Sequence, residues 1–238
     1  LCLRPLGRKV EWHHVVPKSR GGKVTVPLHP ICHRAIHAAA DNASLARLGS
    51  LDAVRALPVM AREPGTRNCW APEAIWDARA NGWRLFWSST VAGRFPETDG
   101  SSESDYNHRL WTCVTRDFRT LSDPEVLFDP GFSVIDGTFA HSPGGGLFLI
   151  VKDETRFPVR KHLQVVAAAS PAGPFGPLSD AFTPAWVEGP MTAGIDGEAI
   201  CYYDIYRDGR WGAASTRDFR RWEDVSARLS MPPGARHG

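Results

Sequence analysis

The chain has 238 residues, of which 42% are hydrophobic and 23% charged, which gives it material for a buried core and excludes a disordered chain. The net charge of +2 hides a split: residues 1–60 hold nine Lys/Arg against three Asp/Glu, and residues 61–238 hold nineteen against twenty-three. Residues 1–60 also contain only Trp12 among the nine tryptophans, and no Phe or Tyr, so a basic, aromatic-poor head and an acidic, aromatic-rich body read as two modules with different partners.

Five scattered cysteines (Cys2, Cys32, Cys69, Cys113, Cys201) form no paired framework, which predicts reduced thiols and a cytoplasmic setting. No signal peptide and no apolar run long enough for a bilayer is recognised, so no membrane partner is expected. The opening LCLRPLG lacks Met, which predicts a fragment or a fusion.

In the head, GRKVEWHHVVP alternates apolar and polar residues and breaks at Pro17, predicting a short strand. KSRGG follows as a turn, KVTVPLHP as a second strand, and PICHRAIHAAADNASLARLG as a helix with Pro30 near its start and Gly49 after its end. His33 and His37 lie four apart and so share one helix face, where two imidazoles can hold one divalent cation. Adjacent strand residues point to opposite faces, so His13 and His14 can do different jobs.

Glu11-x-His13-His14, Pro17, Gly21-Gly22 and Cys32-His33-x-x-x-His37 together resemble the HNH endonuclease family, a ββα-metal fold, over about residues 8–40. The resemblance implies that His13, His33 and His37 ligate Mg or Zn and that His14 is the general base activating water on a DNA phosphodiester. Glu11 would orient His13, and Lys9, Lys18, Lys23, Arg20 and Arg34 would attract phosphate. The family's middle Asn falls near Val24 or Thr25, a departure at the loop that orients His14.

LPVMAREPGTRN, residues 57–68, ends the helical pattern with Pro and Gly and predicts the joint. The expected domains are a module at 1–58, a linker at 59–67 and a body at 68–238.

The body repeats. TRDFR occurs at 115–119 and at 216–220. Around the copies, first strands align as APEAIWD, IDGTFAH and VEGPMTA, second strands as WRLFWSS, GLFLIVKD and EAICYYD, and third strands as HRLWTCVTRDF, HLQVVAAAS and RWGAASTRDF. A four-stranded unit of about 50–60 residues suits a β-propeller blade. The fold class is therefore mainly β, a partial propeller of about three blades behind a small ββα-metal module. The alignment places Glu73, Asp136 and Glu188 at one phase of the first strands, which line the channel of a propeller. Carboxylates gathered there repel one another, so at least one pKa is expected to rise.

NCWAPEAIWD, SVIDGTFA, WVEGP and the terminal RHG resemble glycoside hydrolase family 43 over about residues 66–238. The resemblance implies a five-bladed propeller that cleaves β-xylosides or α-L-arabinofuranosides with inversion, acting on a pentose-containing oligosaccharide. Glu188 is then the general acid and Asp136 the acid that tunes and orients it. Trp70 and Glu73 would line the sugar site, with Trp87, His108 and Arg109 as further candidates. His237 would stand near the channel centre, beside a Ca or similar ion. The family's catalytic base, an Asp on the blade before WAPE, has no counterpart here, so low activity is expected. Two alternatives stay open: a metal-dependent nuclease acting through the head, and a propeller that binds carbohydrate without cleaving it.

Overall fold

The computed structural model describes residues 11–14, 17–21, 23, 25–28 and 57–231. These fall into two compact units, one of residues up to 58 with the 116–121 turn and one of residues 59–115 with 122–231.

In the first unit, β1 (Glu11–His14) pairs antiparallel with β2 (Thr25–Leu28), with His13 opposite Val26 and His14 opposite Thr25. Between them Lys18–Arg20 form a single 3-10 turn, ended by Gly21 in the left-handed region (φ 82°), whose N–H donates to the Lys18 carbonyl. Glycine takes this conformation without a Cβ clash. The expected hairpin is thus present, whereas the expected helix with His33 and His37 lies outside the described residues. Among the described residues no group of three His, Cys, Asp or Glu could hold a metal ion, so the structure does not show a ββα-metal module.

The second unit consists of three four-stranded antiparallel sheets, each built from four consecutive strands. The first runs β3 (Trp70–Asp77), β4 (Gly82–Thr90), β5 (His108–Thr115) and β6 (Glu125–Phe128). The second runs β7 (Val134–His141), β8 (Leu147–Asp153), β9 (Leu163–Ala168) and β10 (Phe175–Leu178). The third runs β11 (Glu188–Ile195), β12 (Glu198–Ile205), β13 (Arg210–Thr216) and β14 (Glu223–Asp224). The three repeats read in the sequence are these three sheets. The TRDFR copies form matching turns after the third strand of the first and third sheets. Asp117 Oδ1 accepts the N–H groups of Arg119 and Thr120, Asp218 Oδ1 accepts those of Arg220 and Arg221, and the phenylalanines between adopt φ of 53° and 59°. An Asp that bonds the backbone two and three residues on closes such turns locally.

The second sheet is buried on both faces. Leu149 and Val151 of β8 pack with Phe86, Leu110 and Phe128 of the first sheet, whereas Ile150, between them, packs with Val187, Cys201 and Tyr203. Alternation along a strand sends neighbours to opposite faces, so the apolar run LFLIV supplies both cores and reads as a continuous hydrophobic stretch. Each such fully buried side chain contributes about 1.5–3 kcal/mol. This packing sets the first strands β3 and β11 against β7.

Each first strand is bulged at the same place. Trp70 pairs with Ser88 but Glu73 with Phe86; Ile135 with Lys152 but Thr138 with Ile150; Glu188 with Asp204 but Met191 with Tyr202. Each interval carries one extra residue, the mark of a bulge. Ala71, Asp136 and Gly189 occupy the left-handed region there, at φ of 46°, 52° and 58°. This corrects the sequence alignment. Ala71, Asp136 and Gly189 are the equivalent residues; Glu188 precedes its bulge by one residue and Glu73 follows its own by two. The repeat is a bulge, not an acid.

Candidate active site

The bulges connect neighbouring sheets and bring the acids together. The Asp136 N–H donates to Ser88 Oγ of β4 (3.2 Å), and the Asp136 carboxylate accepts the Gly189 N–H (3.0 Å) through Oδ2. One residue of β7 is thereby tied to the first sheet through its backbone and to the third through its side chain. On the near side, Thr138 Oγ1 donates to Glu73 Oε2 (3.0 Å). Glu73 as a residue is exposed, but its carboxyl end is desolvated by the protein packed around it. Burial, opposed by the Thr138 bond and aided by the Asp136 charge, pushes its pKa up to about 7. The expected rise therefore falls on Glu73, with desolvation its larger cause and repulsion a smaller one.

Lys152 occupies the centre of the group. It is almost completely buried at the end of β8, with Nζ 2.9 Å from Glu188 Oε2 and 2.8 Å from Glu154 Oε2. Burial alone would lower its pKa, but the carboxylates of Glu154, Asp136 and Glu188 outweigh burial and hold the ammonium well above the usual lysine range. Glu154 also receives Lys161, itself buried. Two buried ammonium groups are thus offset by carboxylates that converge on them, as buried charge requires.

Beside this cluster lies an aromatic ledge. Trp70 rests against Tyr106 and His108, with centroids 4.7 and 4.8 Å apart, and Tyr106 stacks on His108 at 5.0 Å. Trp70 is 40% exposed, which leaves an indole face of the kind that suits the apolar side of a sugar ring. Burial, with help from Lys152, Lys161, Arg67 and Arg109, drives His108 down to about 3, so its imidazole is neutral. Arg67 covers Tyr106 at 4.5 Å and borders a cavity of about 280 Å³ lined also by Thr90, Asp99, Asp105 and Asn107.

Other candidates lie elsewhere. Trp87 is buried within the first sheet opposite Trp111. Arg109 is fully buried, bonding Asn107 Oδ1, the His108 carbonyl, Thr98 Oγ1 and Asp129; it anchors the loop ahead of β5 and presents no donor to a ligand. His237 and the metal-ligand histidines His33 and His37 lie outside the described residues, and His14 stands on the hairpin.

Residues 48–238 match the family described as a probable glycosyl hydrolase domain, of the family-43-related kind. The chain belongs to this family. Among the relatives of this family-43-related chain, an α-L-arabinofuranosidase of Bifidobacterium longum subsp. longum is 32% identical over 96 residues, which is 38% of this chain and 9% of the relative. Of solved structures, an α-L-arabinofuranosidase from Lactobacillus brevis superposes with a TM-score of 0.54 at 14% identity, covering 69% of this chain and 57% of the other. A thermostable family-43 glycoside hydrolase does so with 0.51 at 17% identity, covering 68% and 55%. An endo-arabinase from Bacteroides thetaiotaomicron does so with 0.51 at 15% identity, covering 67% and 61%. These likenesses show the propeller-type fold. The chain spans less than two thirds of the length of each of these proteins. The family match begins after the hairpin and its histidines, so neither it nor the described residues support a nuclease module or a DNA partner. No described helix is long and apolar enough to cross a membrane.

Sequence reasoning missed Lys152, Glu154, Thr138, Tyr106 and Ser88. For Lys152 a signal was present: GLFLIVKDE reads as a buried strand, and a lysine closing such a run must find carboxylates. Ser88 and Thr138 gave none, because their roles depend on the bulges.

Proposed function

We propose that this chain acts on glycosides, with pentose-containing oligosaccharides of the arabinofuranosyl or xylosyl class as its substrates. Support for the substrate class comes from the similar proteins, among them two α-L-arabinofuranosidases and an endo-arabinase. The observation that carries the proposal is the Asp136 carboxylate held against the Gly189 N–H, which fixes one acid beside Glu188 while its charge also bears on Glu73.

In the reaction Glu188 gives a proton to the glycosidic oxygen as the C–O bond to the anomeric carbon breaks, and Asp136 orients Glu188 through the adjoining Gly189 N–H. Water adds to the anomeric carbon from the opposite face and loses its proton to a base. The family's catalytic Asp, on the blade before Trp70, has no counterpart recognised in the sequence, and no described residue is assigned as that base. Trp70 supports the sugar ring. No step is assigned to a metal ion; His237, the residue expected beside Ca, and His33 and His37, two of the three expected ligands of the divalent ion, lie outside the described set, and the third, His13, is on β1.

The test is hydrolysis of aryl α-L-arabinofuranoside and aryl β-xyloside, with binding of arabinotriose and xylotriose measured by calorimetry. Expected are oligosaccharide binding and slow aryl release that falls to background in Glu188→Ala. Absence of both binding and release overturns the proposal. Binding that persists in Glu188→Gln with no release from any variant replaces it with the carbohydrate-binding reading.

A further inference from the structure

The strand β11 that carries Glu188 is preceded by an aromatic residue in an unusual setting. Trp186 has φ of 66°, a left-handed conformation that is costly for a bulky side chain. The Arg207 guanidinium carbon lies over it, 3.1 Å from the ring centroid, and Tyr206 meets it edge-on at 6.3 Å. Arg156 approaches the same indole at 5.7 Å and Phe157 at 5.4 Å. Phe157 is 64% exposed. The patch adjoins the acid site, because Lys152 Nζ, which donates to Glu188, lies 5.1 Å from the Tyr206 ring.

Arg156 pairs with Glu103, Arg210 with Asp208 and Arg217 with Glu198. Among the described residues Arg207 has no carboxylate partner, only the indole. A guanidinium stacked on an aromatic face is oriented in advance, with its N–H groups projecting from its rim. The stack also covers one face of Trp186, so the indole serves as a support for the cation rather than as an open platform for a sugar.

From this geometry we infer that the Trp186–Arg207–Arg156 patch is a subsite for a sugar residue bearing a carboxylate, a hexuronate branch or unit on the oligosaccharide bound at the acid site. A planar guanidinium matches a carboxylate through two parallel N–H···O bonds, and the exposed Phe157 ring offers an apolar face beside it. A neutral pentose would leave the Arg207 charge unmatched. This assignment rests on the glycoside reading above and narrows its substrate class to acidic oligosaccharides.

The experiment compares three ligands by calorimetry: xylotriose, xylotriose carrying a glucuronic acid branch, and the same branched compound with its carboxyl reduced to an alcohol. The full chain should bind the acidic compound about tenfold more tightly than the reduced one, a single charge-assisted contact's worth of affinity, and raised salt should shrink the ratio. The ratio should fall to about one in Arg207→Gln and stay intermediate in Arg207→Lys, which keeps the charge but not the fork; melting temperatures verify that both variants are folded. Equal binding of acidic and reduced compounds, or a ratio that survives Arg207→Gln, overturns the subsite while leaving the glycoside reading intact. Failure of all three ligands and of arabinotriose to bind, with no aryl release, overturns both.

Discussion

Asp136 holds the backbone of Gly189 across the boundary between the second and third sheets, its Oδ2 accepting the Gly189 N–H at 3.0 Å. Asp136 and Gly189 are the same residue of two successive repeats, each in the left-handed region at its bulge. A bulge frees an N–H that the ladder would otherwise use, and here the preceding repeat's side chain satisfies it. Ser88 Oγ does the same for Asp136. Glu188, one residue before Gly189, inherits its position from this bond.

Replacing Asp136 separates the roles of its backbone and its side chain. Asp136→Ala loses an acceptor and places a Cβ without polar compensation at φ 52°, which should cost about 2 kcal/mol. Asp136→Asn tolerates the left-handed region and keeps an acceptor oxygen, so it should lose less than about 1 kcal/mol while still lacking the charge that bears on Glu73. Urea midpoints check the stabilities; aryl glycoside hydrolysis should fall in both.

Glu73 should make stability depend on pH. Its folded pKa of about 7 lies above the unfolded value of 4.5, so between those limits the folded state binds more protons and stability declines as pH rises. Glu73→Gln should remove that decline, which thermal melts from pH 4.5 to 8 would reveal. A carbon-13 carboxyl titration should place the midpoint near 7; one near 4.5 would contradict the assignment.

What the sequence revealed of the body, and what it concealed, follows from one distinction. The strands were legible because period-2 patterning and the TRDFR turns are local: Asp117 and Asp218 bond residues two and three ahead, so the repeat carries its own geometry. The acids were found as residues but placed at a common phase, because a bulge adds one residue to a strand without changing its composition. Ala71 and Gly189 are the structural equivalents of Asp136 and share no chemistry with it. Arg109, read as a candidate at the sugar, is held by Asn107, Thr98 and Asp129, partners brought in by a loop whose course the sequence pattern does not specify.

Asp77 and Arg84 form a buried pair across the β3–β4 hairpin, with Nε and Nη2 of the arginine 3.0 and 2.9 Å from Asp77 Oδ2. Asp77 Oδ1 accepts the N–H groups of Arg79 and Ala80. Burial alone would raise the Asp77 pKa, but Arg84 and these N–H groups hold it below the usual range. A depressed folded pKa stabilises the protein above the unfolded value near 3.8, and that contribution is lost as pH falls through the folded value. Asp77→Ala should cost about 3–5 kcal/mol by leaving Arg84 buried beside an empty partner position, and the acid limb of a stability profile below about pH 4 should flatten.

Gly212 of β13 lies directly opposite Tyr203 of β12. A Cβ there would stand 2.2 Å from Tyr203 Cε2, and Tyr203 is buried and cannot swing aside. Gly212→Ala should therefore destabilise by about 2–3 kcal/mol. Gly137→Ala meets only the end of the Leu110 side chain, at 2.6 Å, which can shift at smaller cost. Paired urea titrations would rank the two.

Lys152→Met tests whether the central ammonium organises the acids. The substitution fills the same volume but leaves Glu188 and Glu154 without the cation that stands 2.9 and 2.8 Å from them. Breaking a buried pair by removing one partner costs about 3–5 kcal/mol. Urea midpoints measure this deficit, and aryl glycoside release should fall with it. In the unaltered chain the contribution of the raised lysine pKa is complete below the unfolded value of 10.5 and declines only as pH climbs through the folded one. A midpoint and a release rate both unchanged from the parent would mean that the acids do not depend on Lys152 for their arrangement.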